Sequence, residues 1–304
     1  MINSTLCYIE KSCIIPEMLT ADEIDYAVNS AYNKANFNES YVGYKHYKGI
    51  IFAELYKGPT CAFKDMALTI LPYFIEISKK KWGVKEKSLI LVATSGDTGG
   101  AALSSFKKNG AFDTVVLYPN KGVSEIQEKQ MLYYTDKRTK AFAIDGNFDD
   151  CQTFVKNIFA SYPKDNGVIL SSANSINIGR LIPQVVYYYY TYLKALNEGD
   201  ILKDEKFNVC VPTGNFGDIF AGYIAKEMGL PIDKFICASN VNSVLADFFK
   251  TGVYDKRRKF IKSNSPAMDI LISSNNNCLI ILFSSSAISF SISSNSNCKN
   301  GITS

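Results

Sequence analysis

The chain of 304 residues has one histidine, His46. That count excludes a multi-histidine metal site, and no metal is expected. A Ser-His-Asp hydrolase would depend on His46 alone, which stands in the polar segment "GYKHYKG" with no nucleophile elbow to pair with it. Proton chemistry in this chain therefore falls to other side chains. Charge of one sign is also scarce. The 33 Lys and Arg against 29 Asp and Glu leave a formal +4, too small and too dispersed to argue for nucleic acid. The basic runs "SKKKW" and "DKRRK" are short enough to be solvated faces. No apolar run approaches the roughly 20 residues of a membrane span. The eight cysteines (7, 13, 61, 151, 210, 237, 278 and 298) include no C-x-x-C pair, and no secretory leader precedes them. This fits reduced thiols in the cytoplasm better than a disulfide framework. Cys151, Cys210 and Cys237 lie in apolar-periodic segments and are expected in the core.

What is present is alternation. Short apolar runs at 88–94, 113–119, 139–145, 167–173, 207–213 and 234–240 read as strands. Between them stand helical patterns such as "KDMALTILPYFIEISKKK", "TGGAALSSFKKNG", "SEIQEKQMLYYTD", "DDCQTFVKNIFASY", "GDIFAGYIAKEMG" and "NSVLADFFKTG". The run "VVYYYYTYL" continues a helix that begins near Arg180, and its tyrosines read as packing residues. Strand–helix alternation of this kind predicts an α/β fold with parallel sheets covered on both faces. Ligands of such folds bind where the carboxyl ends of strands lead into helices.

Three stretches at such places carry chemistry. "GPTCAFKDMAL" sets Lys64 between Phe63 and Asp65 at the foot of an apolar helix, a position that suits a lysine aimed into a pocket. "VATSGDTGGAAL" gathers Thr94, Ser95, Asp97 and Thr98 around Gly96 and Gly99 where a helix begins. Such a loop can seat a carboxylate or serve as an ordinary cap. "VPTGNFGDIFAGY" offers Gly214 and Gly217 before a helix near Asp218, which suits a phosphate monoester. It is neither a P-loop nor a G-x-G-x-x-G dinucleotide turn, which disfavours a nucleotide kinase or a dehydrogenase. A lysine pocket, a phosphate cup and a hydroxyl-rich anion loop together meet the requirements of pyridoxal phosphate (PLP). Lysine then does the proton transfer that histidine would otherwise do.

"ELYKGPTCAFKD", "ATSGDTGGAA", "NSINIGRLIPQVVYYY", "PTGNFGDIFAGYIAKEMGLPI" and "SPAMDIL" resemble, in order, the motifs of threonine synthases. These are PLP enzymes of fold type II, the tryptophan synthase β-subunit-like fold. The resemblance runs from about Glu54 to Asn275. It implies two three-layer α/β domains with parallel sheets, incomplete at the carboxyl end, and a cytoplasmic carbon–oxygen lyase acting on phosphate. It also implies a division into residues 1–65, an amino-terminal segment and the start of the large PLP domain; 66–173, a smaller α/β domain; 174–274, the remainder of the large domain; and a tail, 275–304. Lys64 would be the Schiff-base lysine and Asp97 would lie beside the pyridine 3′-oxygen. Gly214, Asn215, Phe216 and Gly217 would line the cofactor phosphate. Ser95, Gly96 and Thr98 would receive the substrate carboxylate, and Thr94, Thr98, Asn174 and Arg180 the substrate phosphate. The implied reaction converts O-phosphohomoserine and water to L-threonine and phosphate, with a small molecule as the partner and neither nucleic acid nor membrane.

The sequence departs from the family's pattern in three places. Lys57 stands where histidine is usual, the amino-terminal signature is reduced to "CIIPEM" (13–18), and the sheet and helix that usually follow "SPAMDI" are replaced. In their place, residues 275–304 hold nine serines and one charged residue, Lys299, a composition expected of a shifted reading frame. Alternatives to an active threonine synthase are an inactive truncated remnant of the family or a related PLP dehydratase.

Overall fold

The computed structural model describes residues 18–273, apart from 38, 39, 164, 165, 176, 256, 260, 262, 264, 266, 267, 271 and 272. Outside the described residues lie the serine-rich tail (275–304), residues 13–17 of "CIIPEM", positions 266, 267 and 271 of "SPAMDIL", and Cys7, Cys13, Cys278 and Cys298. The chain divides into two compact units between Ile201 and Leu202.

The first unit opens with helix α1 (Ala21–Ala31), started by a capping box. The Thr20 hydroxyl accepts the Glu23 N–H at 3.2 Å and the Glu23 carboxylate accepts the Thr20 N–H at 2.7 Å. A hairpin follows, β1 (Gly43–Tyr47) antiparallel to β2 (Ile50–Glu54). Its two-residue turn uses Lys48 (φ 49°) and Gly49 (φ 75°), the left-handed pair that matches strand twist.

After α2 (Asp65–Lys81) comes the main sheet: β3 (Lys87–Ala93), β4 (Asp113–Pro119), β5 (Thr139–Ile144) and β6 (Val168–Ser172). The strands are parallel in the order β5-β4-β3-β6. Helices α3 (Asp97–Asn109), α4 (Glu125–Tyr133), α5 (Phe148–Ser161) and α6 (Ile178–Glu198) alternate with or follow them. Period-two alternation gives each face of the sheet its own core. Ile90, Val92, Val116 and Tyr118 pack with Leu68 and Leu71 of α2 and Leu103 and Phe106 of α3. Leu91, Ala93 and Leu117 pack on the other face with Cys151 and Val155 of α5. The central strands β3 and β4 are therefore apolar on both sides, as the sequence runs predicted. In α6, Tyr187 and Tyr188 are buried and the tyrosines that follow are half-buried.

The second unit contains the parallel pair β7 (Phe207–Pro212) and β8 (Ile232–Ala238), joined through α7 (Gly217–Glu227) and followed by α8 (Val244–Thr251). One core assignment needs correction. Cys151 and Cys237 are buried, but Cys210 is exposed, because alternation along β7 puts it with Asn208 and Pro212 on the strand's exposed face. Among the described residues no helix is long and apolar enough to cross a membrane, and no cluster of His, Cys, Asp or Glu could hold a metal ion.

Candidate active site

Lys64 immediately precedes α2, where the turn "GPTCAF" ends. Asp65 builds that turn. Its buried carboxylate accepts the Thr60 N–H at 2.8 Å, the Thr60 hydroxyl at 2.6 Å and the Ala62 N–H at 3.4 Å. Burial raises the Asp65 pKa despite these bonds. Gly58 is required beside it, since a Cβ there would overlap Asp65 Cβ and lie 2.5 Å from Oδ2. Gln130 Nε2 and the Tyr134 hydroxyl, both from the α4 region, donate to the Thr60 and Pro59 carbonyls. The turn is thus held from both sides.

The Lys64 side chain is 9% exposed, and its Nζ lies 3.2 Å from Asp97 Oδ2 and 4.3 Å from the Phe63 ring centroid. Asp97 opens α3. Burial acts to raise its pKa, but the Lys64 charge and the hydrogen bonds from Gln127 and Lys64 outweigh it and hold the carboxyl below its ordinary value. A buried amine and an ionised carboxylate therefore face each other where β3 runs into α3.

The loop between them is shaped by Gly96, whose φ of 137° L side chains rarely adopt. With glycine at the cap position, Thr94 does the capping from two residues earlier. Its buried hydroxyl accepts the Gly96 N–H at 2.9 Å and the Gly99 N–H at 3.0 Å. Ser95 is half-buried and Thr98 buried beside it. Asn174, just past β6, brackets the end of β3: it accepts the Ala93 N–H at 3.2 Å and donates to the Ala93 carbonyl at 2.7 Å.

Arg180, in the first turn of α6, is 4% exposed. Its Nη1 donates to the Ala173 carbonyl at 3.0 Å, while Nε is buried with no hydrogen-bond partner among the described residues. Burial pushes its pKa down to about 10. A buried cation with no carboxylate partner among the described residues is one that an anion would stabilise.

Lys64, Asp97, Thr94 to Thr98, Asn174 and Arg180 all lie in the first unit, and the pairs described above are the ones brought into contact. Gly214, Asn215, Phe216 and Gly217 lie in the second, between β7 and α7. There Phe216 takes the cap position in a left-handed conformation (φ 66°) and is fully buried.

The remaining departures also have places. Lys57 pairs with Glu54 at 3.1 Å, and hydrogen bonds from Lys45 and Tyr56, then Lys57, bring the Glu54 pKa to about 2. His46 lies 2.6 Å from Asp200, which also accepts the Tyr44 hydroxyl. The single histidine is thus used to tie the hairpin to the end of α6. Sequence reasoning missed two residues. Gln127 donates to Asp97 Oδ1 at 2.7 Å. Asp269 of "SPAMDIL" accepts from Asn240 at 2.8 Å, Asn242 at 2.9 Å, the Ser263 hydroxyl at 2.7 Å and the Ser263 N–H at 2.8 Å. The Ser124-x-x-Gln127 capping pattern was a usable signal for the first, though only for its place on a helix. The only signal for the second was its place in the "SPAMDIL" motif, which says nothing of its partners.

The chain matches no protein-family model. It is 43% identical over 278 residues to threonine synthase-like 1 of Homo sapiens, covering 86% of this chain and 37% of the human protein. It is 42% identical over 228 residues to the threonine synthase of Saccharomyces cerevisiae, covering 73% of this chain and 44% of the yeast protein. It thus spans less than half the length of each. Its fold superposes on the PLP-bound threonine synthase of Brucella melitensis with a TM-score of 0.77 and 34% identity, over 95% of this chain and 68% of that one. Likeness in sequence and fold at this level, over most of its length, means that this chain belongs to the threonine synthase family.

Proposed function

We propose that the chain catalyses the threonine synthase reaction, converting O-phosphohomoserine and water to L-threonine and phosphate, with PLP held at Lys64. The observation that carries this reading is the buried Lys64 amine set 3.2 Å from Asp97 at the start of α3. The residues fit the cofactor and a phosphorylated substrate. A sequestered primary amine suits a carbonyl cofactor, and the unpartnered Arg180 Nε suits a phosphate oxygen.

In this reading Lys64 and Asp97 hold the reactive end of PLP, and Gly214, Asn215, Phe216 and Gly217 hold its phosphate. Bound PLP supplies an electron sink for the substrate carbon that loses a proton. Lys64 would be the base that removes and returns that proton. Ser95, Gly96 and Thr98 orient the substrate carboxylate. Arg180, with Thr94, Thr98 and Asn174, grips the phosphate that leaves. The Thr94 hydroxyl already accepts two N–H groups but keeps a proton to donate. The bond broken joins carbon to oxygen, so the class is a carbon–oxygen lyase acting on phosphate. Free Cys61, Cys151, Cys210 and Cys237 support a reducing, cytoplasmic setting.

The test is absorbance of the purified chain with added PLP, beside Lys64→Ala, followed by borohydride trapping and phosphate release from O-phosphohomoserine. A visible band and a trapped adduct in wild type alone, with phosphate released, are expected. Equal spectra in the two proteins would overturn the cofactor assignment. Capture without phosphate release would overturn the activity and leave the cofactor assignment standing.

A further inference from the structure

We propose that Gln127 is a positioning residue that aims Asp97 at Lys64. The inference rests on Lys64 being the cofactor lysine, and it is drawn from three contacts in the first unit. Gln127 is buried in the first turn of α4, where its amide does two things at once. Its Oε1 accepts the Ser124 N–H at 3.0 Å, completing a capping box with the Ser124 hydroxyl. Its Nε2 donates to Asp97 Oδ1 at 2.7 Å, which leaves Oδ2 facing Lys64 Nζ at 3.2 Å.

A carboxylate tethered through one oxygen cannot turn about its own axis, so the second oxygen keeps its bearing on the amine. Gly96 makes the tether possible. A Cβ at that position would collide with Gln127 Cδ, so glycine there serves the approach of the amide as well as the turn. Because the amide is itself locked by the cap, its donor is pointed before Asp97 arrives, and little ordering is required.

The electrostatics agree with the geometry. Burial opposes ionisation of Asp97, and the Gln127 hydrogen bond is among the interactions that overcome it. Other charged groups of this neighbourhood among the described residues are Lys64 itself, Asp65, on which the Lys64 charge acts, and Lys108, on which the Asp65 charge acts. The Asp65 carboxylate is held by Thr60 and Ala62, so it does not take over the place of Asp97 when its tether is cut.

The test uses the cofactor-free chain and reads Lys64 directly. Wild type, Gln127→Ala and Gln127→Glu are labelled with trace acetic anhydride between pH 7 and 11, and acetylation of Lys64 is quantified by peptide mass spectrometry. In Gln127→Ala the untethered Asp97 turns toward solvent and the Lys64 ammonium loses its fixed partner. Its apparent pKa falls by about half a unit to one unit, and labelling near pH 8 rises about three- to tenfold. Gln127→Glu keeps the cap, since glutamate serves at this position equally well, but replaces the donor by a second carboxylate. Lys64 then faces more negative charge, and its labelling at the same pH falls by about threefold.

Loosened packing raises labelling at every pH, the plateau above the Lys64 pKa included, whereas a lost partner lowers the midpoint of the profile and leaves the plateau. A wild-type midpoint in Gln127→Ala, with or without a raised plateau, would overturn the proposal. If Gln127→Ala does not fold, Gln127→Asn, an amide one methylene shorter that adds no charge, decides alone, and a wild-type midpoint there refutes it. The measurement needs no PLP. Failure of wild type to trap PLP would therefore count against the proposed function and leave this result independent.

Discussion

Replacing Arg180 with methionine removes a charge that the described residues do not neutralise. The guanidinium is 4% exposed, gives Nη1 to the Ala173 carbonyl and leaves Nε without a partner among those residues. Its pKa, brought down to about 10 by burial, corresponds to about 3 kcal/mol of unfavourable free energy in keeping the cation folded. Methionine fills much of the same volume without the charge and forgoes one hydrogen bond of about 1 kcal/mol. The variant is therefore expected to be more stable than wild type by about 2 kcal/mol, and to have lost its grip on phosphate. Urea unfolding with and without inorganic phosphate measures both effects. Wild type should gain stability as phosphate is added, because a ligand of the folded state adds RT ln(1 + [L]/Kd), and the variant should gain none. The pH dependence has a definite sign. The folded pKa lies below the unfolded one, so the penalty is full below about pH 10. It is relieved only above that, where the unfolded chain binds the extra proton. A variant less stable than wild type in phosphate-free buffer would refute the reasoning, as would equal phosphate stabilisation of both proteins.

Two further substitutions test the scaffold. Gly58→Ala pushes a methyl group into Asp65, whose carboxylate is pinned by Thr60 and cannot give way. A loss of about 1–3 kcal/mol in urea unfolding and slower trapping of PLP by Lys64 are expected, and an unchanged midpoint would show the turn to be pliable. In the second unit, Asp269→Ala strips the acceptor from Asn240, Asn242 and Ser263, at about 2–4 kcal/mol. Limited proteolysis should then cut within residues 202–273 first, and a digestion pattern like wild type would count against the network.

The parallel α/β class was legible because β3 and β4 are buried on both faces, and such strands are written as unbroken apolar runs. The hairpin was not. Its strands are largely exposed, so no binary pattern marks them, and only the Lys48-Gly49 turn hints at their pairing. Helix α1 did carry a local signal, the Thr20-x-x-Glu23 capping box. Cys210 was misplaced because an apolar-looking strand need not be covered on both sides.

The site divides along the same line. Sequence by itself determined which groups are available: a lysine before an apolar helix, a glycine-bounded hydroxyl loop, an arginine at a helix start, and a single histidine too isolated for catalysis. These follow from local rules of turns, caps and periodicity, which act over a few residues. Only the tertiary structure decided that Asp97 meets Lys64 across 33 residues, that Gln127 meets Asp97 across 30, and that Arg180 Nε is left buried and unpaired among the described residues. Those outcomes depend on which helices pack over one end of the sheet, and on where water is excluded. Charge and hydrogen-bond energies follow from that exclusion, and it is a property of the folded neighbourhood that no short stretch of sequence contains.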